Sequence, residues 1–236
     1  MRVLAVETAT EACSVALEAE AGLIGRYAEV GRGHTEELLD MVRAVLAEAG
    51  MPLGRLDGIA AGIGPGSFTG VRIGVAVAQG LAFGASLPVI PITSLEALAW
   101  QAIGADPAPG QDDCHALACL DARMGEVYWG CFGRDARRGI RALGALRVGA
   151  PAEVSWEGAL PYRAIGRGFE AYPELKGLSG ATLAPRDAAA LPDARATARL
   201  GALRLGLGEG IDPALLKPEY VRDKVALTEA ERRVPK

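Results

Sequence analysis

The chain has 236 residues, a formal net charge of −4 and half of its residues hydrophobic, enough for one large domain or two small ones with a real core. That charge gives no basic footprint for holding nucleic acid unaided, and the composition excludes disordered and fibrous classes. The four cysteines, Cys13, Cys114, Cys119 and Cys131, form no CxxC pair, so reduced thiols of a soluble cytoplasmic protein are expected rather than a metal site. No signal peptide is expected, because Met1-Arg2-Val3 leads straight into an alternating strand.

Residues 2–7, 12–20 and 23–30 read as three strands of an antiparallel meander joined by short turns. After Gly31-Arg32-Gly33 an amphipathic helix is expected over 34–49. Its apolar positions are Leu38, Leu39, Val42, Val45, Leu46 and Ala49, with Thr35 as cap, Glu36 and Glu37 in the first turn and Gly50 as stop. A buried strand over 59–62 leads into the turn GPGSFTG and a helix over 71–85, followed by a strand over 88–92. Thr93 and Ser94 then cap a helix over 95–103. The first hundred residues therefore read β-β-β-α-β-α-β-α.

The Pro- and Gly-rich stretch 104–113 is the expected boundary, giving a first lobe over 1–104, a second over 113–210 and a tail over 211–236. In the second lobe, strands are expected over 114–120 and 126–132 around Arg123-Met124-Gly125, and near 139–148 and 163–166. Helical periodicity over 187–207 is interrupted by Pro192, with Leu200, Leu203 and Leu207 as its seam, and the charged residues 217–236 read as extended.

The helix over 71–85 is unusual. Its only strongly polar side chains, Arg72 and Gln79, are seven apart and share one face, while the other faces are apolar. Such a helix should be buried on two sides, one by its own sheet and one by another lobe or chain. At that length it is too short to span a bilayer. Gly70, Gly74 and Ala78 recur every four residues, a ridge that lets another helix approach closely.

Chemistry-bearing patterns are sparse. Glu7, Thr8, Thr10 and Ser14 surround one hairpin turn, as in proteins that hold Mg-nucleotide phosphates, but the turn lacks glycines and the structural reading is favoured. GPGSFTG lacks the lysine and spacing of a GxxxxGK[ST] phosphate loop. There Gly64, Gly66 and Gly70 are read as supplying unusual backbone angles, with Ser67 or Thr69 capping the helix. His34 and His115 are the only histidines, so zincin-type ligation is excluded, and His34 reads as a solvated helix start. Asp121 and Glu126 flank a turn and read as solvated, as do the arginines between Arg134 and Arg141. No GxSxG elbow or other catalytic set is present, and no metal site is expected.

The strings LAVETATEACSVAL, HTEELLDMV, GPGSFTGVRIGVAVAQGLAFG, LPVIPITSLEALA, LDARMGEVYW and PEYVRDKVA occur in this order along nearly the whole chain. In them the sequence closely resembles the bacterial TsaB (YeaZ) family, a non-catalytic subunit of the machinery that makes threonylcarbamoyladenosine in tRNA. The resemblance implies an α/β fold of the actin/sugar-kinase/Hsp70-like (ASKHA) class, two RNase-H-like lobes with mixed sheets. It also implies helix-mediated pairing with the paralogue TsaD, the metal-dependent catalytic subunit. TsaE joins that pair, TsaC supplies the threonylcarbamoyl-adenylate, and tRNA is met only through the complex. The residues assigned to the docking face are Gly70, Arg72, Ile73, Gly74, Val77, Ala78, Leu81, His34, Leu38 and Met41. Glu7, Thr8 and Thr10 are the nucleotide-proximal set, with ATP or ADP contact only within the complex and no cofactor otherwise. Of the paired-histidine motif of TsaD-like proteins only His34 remains, and Glu7 stands where the family often has Asp. In isolation the apolar face should give a homodimer. The competing expectation is an ATPase or glycoprotease-like hydrolase of the same fold.

Overall fold

The computed structural model describes residues 1–31, 33–104, 114–178 and 180–222. Most of the expected boundary (105–113) and the end of the expected tail (223–236) lie outside them.

Five strands form the first sheet: β1 (Val3–Glu7), β2 (Ala12–Ala19), β3 (Gly22–Glu29), β4 (Gly58–Gly62) and β5 (Val89–Ile92), in the order β3-β2-β1-β4-β5. The meander β1–β2–β3 is antiparallel, whereas β1, β4 and β5 run parallel. Both β1 and β4 are buried along their whole length, which is why they read as apolar runs and not as alternating strands. The second sheet contains β6 (His115–Arg123), β7 (Glu126–Asp135), β8 (Gly139–Ala142), β9 (Arg147–Gly149), β10 (Tyr162–Ile165) and β11 (Ala181–Thr182). Its order is β11-β10-β6-β7-β8, with β9 on β7. Counted from β6 and setting β9 aside, this is again third-second-first-fourth-fifth, with an antiparallel meander and a parallel second half. The two halves thus repeat one topology, the paired mixed sheets expected of this α/β fold.

Helices α1 (His34–Glu48) and α2 (Phe68–Ala85) cover the outer face of the first sheet, where Leu38, Val42 and Val45 of α1 and Val71, Val75 and Ala78 of α2 meet Leu4, Val6, Ile59 and Ala61. Between the sheets lie α3 (Ser94–Ile103) and α6 (Ala194–Gly206), while the short α4 (Gly168–Ala171) and α5 (Pro185–Ala188) sit around the second sheet. A division at 104–113 separates the two sheets but not the packing. Helix α3, on the first-lobe side of that division, packs on β6 and β10, and α6, on the other side, packs on β1, β2 and β4. One apolar cluster, including Val3, Ile90, Leu98, Ala118, Phe132 and Leu200, therefore runs through both halves.

Several local expectations are corrected. The strand near 139–148 is two strands, and the helix over 187–207 is α5 and α6. The leucine seam is not one: Leu200 is buried, but Leu203 is exposed. The covered stripe is instead Ala194, Ala198, Gly201 and Arg204, because a Cβ on Gly201 would run into Ala60 of β4 while Arg204 pairs with Glu96 of α3. Thr35 does not cap α1; Gly33 precedes it without a side-chain cap. Helix α2 starts at Phe68, earlier than expected, because Ser67 caps it by accepting from the Gly70 N–H. With 18 residues it is long and apolar enough to cross a membrane, yet Val71, Gly74, Val75 and Ala78 lie buried on the sheet, so it serves as a layer of the folded domain.

Candidate functional site

The end of β1 carries Glu7 into the core, where its carboxylate accepts from the Ala9 N–H at 2.8 Å and from the Ser94 hydroxyl at 3.0 Å. Burial pushes the Glu7 carboxyl up to about 7, with these hydrogen bonds pulling the other way. Next along the chain, the Thr8 hydroxyl donates to the Gly70 carbonyl at 2.8 Å, and the Ala9 carbonyl accepts from the Ser67 N–H at 2.6 Å. The β1–β2 turn is thus clamped onto the start of α2. Amides that could cradle a phosphate there are already engaged, Ser67 with Ala9 and Gly70 with the Ser67 hydroxyl.

The glycines of GPGSFTG serve this clamp. Only Gly64 has a left-handed backbone, at φ +93°. A Cβ on Gly66 would run into the Ala9 carbonyl, and one on Gly70 into the Thr8 carbonyl, so these two are demanded by close approach and not by backbone angle. Gly74 is likewise closed by the Thr8 hydroxyl. His34 is buried, not solvated: its Nε2 lies 2.8 Å from the Thr10 carbonyl and ties the start of α1 to the same turn. The Thr10 hydroxyl accepts from the Ala12 N–H at 3.3 Å.

Above this clamp a cleft of about 580 Å³ opens between the lobes, with Glu11, His34 and Thr69 on one wall and Asp121, Arg123 and Tyr128 on the other. Its charges are spent on each other. Arg167 pairs with Glu11 at 2.7 Å and with Glu29 at 3.1 Å, Arg123 pairs with Asp121 at 2.9 Å, and Asp121 also accepts from the Tyr172 hydroxyl at 3.3 Å. Glu11 and Asp121 oppose an added anion. Among the described residues no group of three or more His, Cys, Asp or Glu side chains could hold a metal ion. Burial raises the Cys13 thiol to about 11 and pushes Cys119 higher still, so neither is poised as a nucleophile. A second cavity of about 1020 Å³ opens beside α6, but there Arg199 pairs with Glu18 and Arg195 with Asp193, leaving no convergent set.

The docking residues expected from sequence divide. Gly70, Gly74 and Ala78 are buried on the chain's own sheet, as are His34, Leu38 and Met41, so the ridge is not a surface. The polar pair Arg72 and Gln79 faces the chain's own C-terminal segment. The Gln79 amide donates to the carbonyls of Pro213 and Leu216 at 2.9 and 3.0 Å, and Arg72 Nε donates to the Tyr220 hydroxyl at 2.9 Å. What stays in solvent is a third face: Thr69, Ala76, Gly80, Phe83 and Gly84, with Ile73, Val77 and Leu81 half-buried at its border. Phe83 is 80% exposed, and a Cβ on Gly80 or Gly84 would meet open space. A second four-residue repeat, 76-80-84, was therefore present in the sequence beside 70-74-78. Periodicity cannot say which of two small-residue stripes the sheet will take.

The chain is 37% identical to the tRNA threonylcarbamoyladenosine biosynthesis protein TsaB of Escherichia coli K12 over 233 residues, covering 96% of each. It is 36% identical to the protein of the same name in Haemophilus influenzae, over 95% of each. It belongs to the TsaB/YeaZ family. Residues 22–146 match the family model of TsaD, tRNA N6-adenosine threonylcarbamoyltransferase. The solved structure of YeaZ from Pseudomonas aeruginosa superposes with a TM-score of 0.81 at 39% identity, covering 93% of this chain and 99% of that one. In this TsaB-family chain the stretch matching the TsaD model begins at β3, so Glu7, Thr8 and Thr10 lie outside it while both α1 and α2 lie inside.

Proposed function

We propose that this chain works in tRNA threonylcarbamoyladenosine biosynthesis as a non-catalytic subunit that docks a TsaD-type partner through the exposed face of α2 and the adjoining face of α1. The observation that carries this reading is a contrast within one helix. The N-terminal end of α2, where free amides could hold an anion, is clamped by the chain's own turn, whereas its solvent face is apolar and small-residued around Ala76, Gly80 and Phe83. Activity on the tRNA then belongs to the partner, with TsaE joining the pair and TsaC supplying the activated group. ATP or ADP is met here only within the complex, and tRNA only through it. Alone, the chain covers the α2 face with a second copy, and it resides in the cytoplasm. Against a hydrolase reading, the acids of the cleft are already paired, Glu11 with Arg167 and Asp121 with Arg123.

Co-purification with TsaD tests the reading. Gly74 is an unsuitable probe because it is packed on Thr8; Gly80→Arg and Phe83→Asp project into solvent and should leave folding within about 0.5 kcal/mol of the parent. Loss of co-purification with thermal stability retained is the expected result. Full retention by both variants would sink the docking face. Mg-ATP turnover by the isolated chain that vanished in Glu7→Ala would instead restore the hydrolase reading.

A further inference from the structure

The segment after α6 makes more contacts than a tail requires. Ile211 first pairs with Val89 by two backbone hydrogen bonds of 2.9 and 3.0 Å, joining the edge of the first sheet. The segment then runs along α2, with the Gln79 amide on the carbonyls of Pro213 and Leu216 and the Leu216 side chain buried in the α1–α2 core. At Glu219 its N–H donates to the Ile63 carbonyl at 2.8 Å, next to GPGSFTG. The Tyr220 hydroxyl takes the hydrogen bond from Arg72, whose guanidinium lies 3.4 Å over the Phe68 ring. Two residues later the segment leaves the first lobe. Arg222 donates to the Ala122 carbonyl at 3.2 Å, pairs with the Glu126 carboxylate and lies 5.8 Å over the Tyr128 ring.

On the second lobe the anchors Ala122 and Tyr128 line the interlobe cleft, and on the first the anchors Ile63 and Arg72 flank in sequence the stretch that lines it. Ser67, Thr69 and Gly70 line one wall, and Asp121, Ala122 and Tyr128 line the other. Arg222 is therefore the point where a segment fixed to the first-lobe wall grips the second. A separate tether, Arg167 to Glu11 and Glu29, closes another part of the gap. Between the sheets, α3 and α6 pack as a helix pair, the arrangement along which shear motions slide.

We propose that residues 211–222 form a latch that sets the spacing of the two lobes, with Arg222 as its catch. Releasing the catch widens the cleft. It also loosens Tyr220 from Arg72 and bares more of Phe68, already 47% exposed at the start of α2, so lobe opening and the surface of α2 change together. The catch is one ion pair and one hydrogen bond, with Arg222 18% and Glu126 40% exposed, so salt reaches and screens it.

The test is a distance measurement between spin labels on Thr69, on the first-lobe wall, and Met124, exposed next to Arg123 of the opposite wall, in the full chain with Cys114→Ser. The parent should give one narrow distance distribution at low salt and a second, longer population at about 1 M salt. Arg222→Glu should populate the longer distance at low salt, and adding Glu126→Arg should restore the narrow distribution. Should Arg222→Glu fold poorly, Arg222→Gln should give the same shift, smaller in extent. An unchanged distribution in the folded variants would overturn the latch. So would a shift that Glu126→Arg fails to reverse, since a general loosening of the fold gives that result.

Discussion

The Thr8 hydroxyl and the Gly70 carbonyl, 62 residues apart, meet at 2.8 Å, and this bond sets how near the first hairpin stands to α2. Side chains at 70 and 74 are excluded by Thr8 and one at 66 by the neighbouring Ala9 carbonyl, while 80 and 84 on the far side of α2 face open space.

Glycine-to-alanine substitutions along this stretch should therefore have opposite signs. Gly66→Ala drives a methyl into the Ala9 carbonyl and should cost roughly 1–3 kcal/mol, or about 2–4 °C of melting temperature per kcal/mol. Gly80→Ala meets nothing and lowers the entropy of the unfolded chain, so it should stabilise by about 0.5–1 kcal/mol. Thermal unfolding of the two variants beside the parent checks both signs.

Glu7 should make stability fall with rising pH in a defined window. Its carboxyl sits at about 7 in the folded chain against 4.5 as its ordinary value, so the folded state holds a proton that the unfolded state has released between those pH values. The protonated form's contribution is complete below pH 4.5 and is lost as the pH climbs through 7, on the order of 3 kcal/mol in all. Glu7→Gln keeps an acceptor for Ala9 and a polar neighbour for Ser94 without the charge. The difference in unfolding free energy between variant and parent should grow in the variant's favour from pH 4.5 to pH 8, as read by denaturant titration at each pH.

The Arg204–Glu96 pair joins α6 to α3 at 2.5 Å, with side chains 7% and 15% exposed, and Arg204 Nε has no hydrogen-bond partner. Removing one partner strands the other. Glu96→Ala should cost roughly 3–5 kcal/mol, part of it from the lost capping box with Thr93. Combining it with Arg204→Met should recover much of the loss, because no buried charge then remains. A double-mutant cycle by denaturant unfolding gives the coupling.

Met124 occupies the hairpin tip between β6 and β7 at φ +58°, followed by Gly125 at φ +80°, with its side chain 82% exposed. Asn is the residue that such a turn prefers at this place. Met124→Asn should raise stability by about 0.5–1 kcal/mol with the second sheet unaltered, visible as a higher melting temperature.

Glu7 and the α2 ridge show where sequence reading succeeds and where it stops. That GPGSFTG lacks the lysine and spacing of a GxxxxGK[ST] loop was legible, because this is local information. That Ser67 or Thr69 caps α2 was legible for the same reason, and the structure selects Ser67. His34 read as solvated and proved buried, because its partner, the Thr10 carbonyl, comes from a turn 24 positions earlier and no local pattern encodes that meeting. Likewise, nothing local to α2 announced that Arg72 and Gln79 would be taken up by residues more than 130 positions later.

By itself the sequence determined the element order of the first hundred residues and the family, because strand and helix periods and long motif strings are written in neighbouring residues; the two mixed-sheet halves followed from the resemblance. Only the tertiary structure decided which face of α2 meets water. Helix periodicity marks several apolar stripes on α2, and the sheet can bury only one. The C-terminal segment took up the polar stripe of Arg72 and Gln79, and the apolar stripe left over, Ala76-Gly80-Gly84 with Phe83, became the surface.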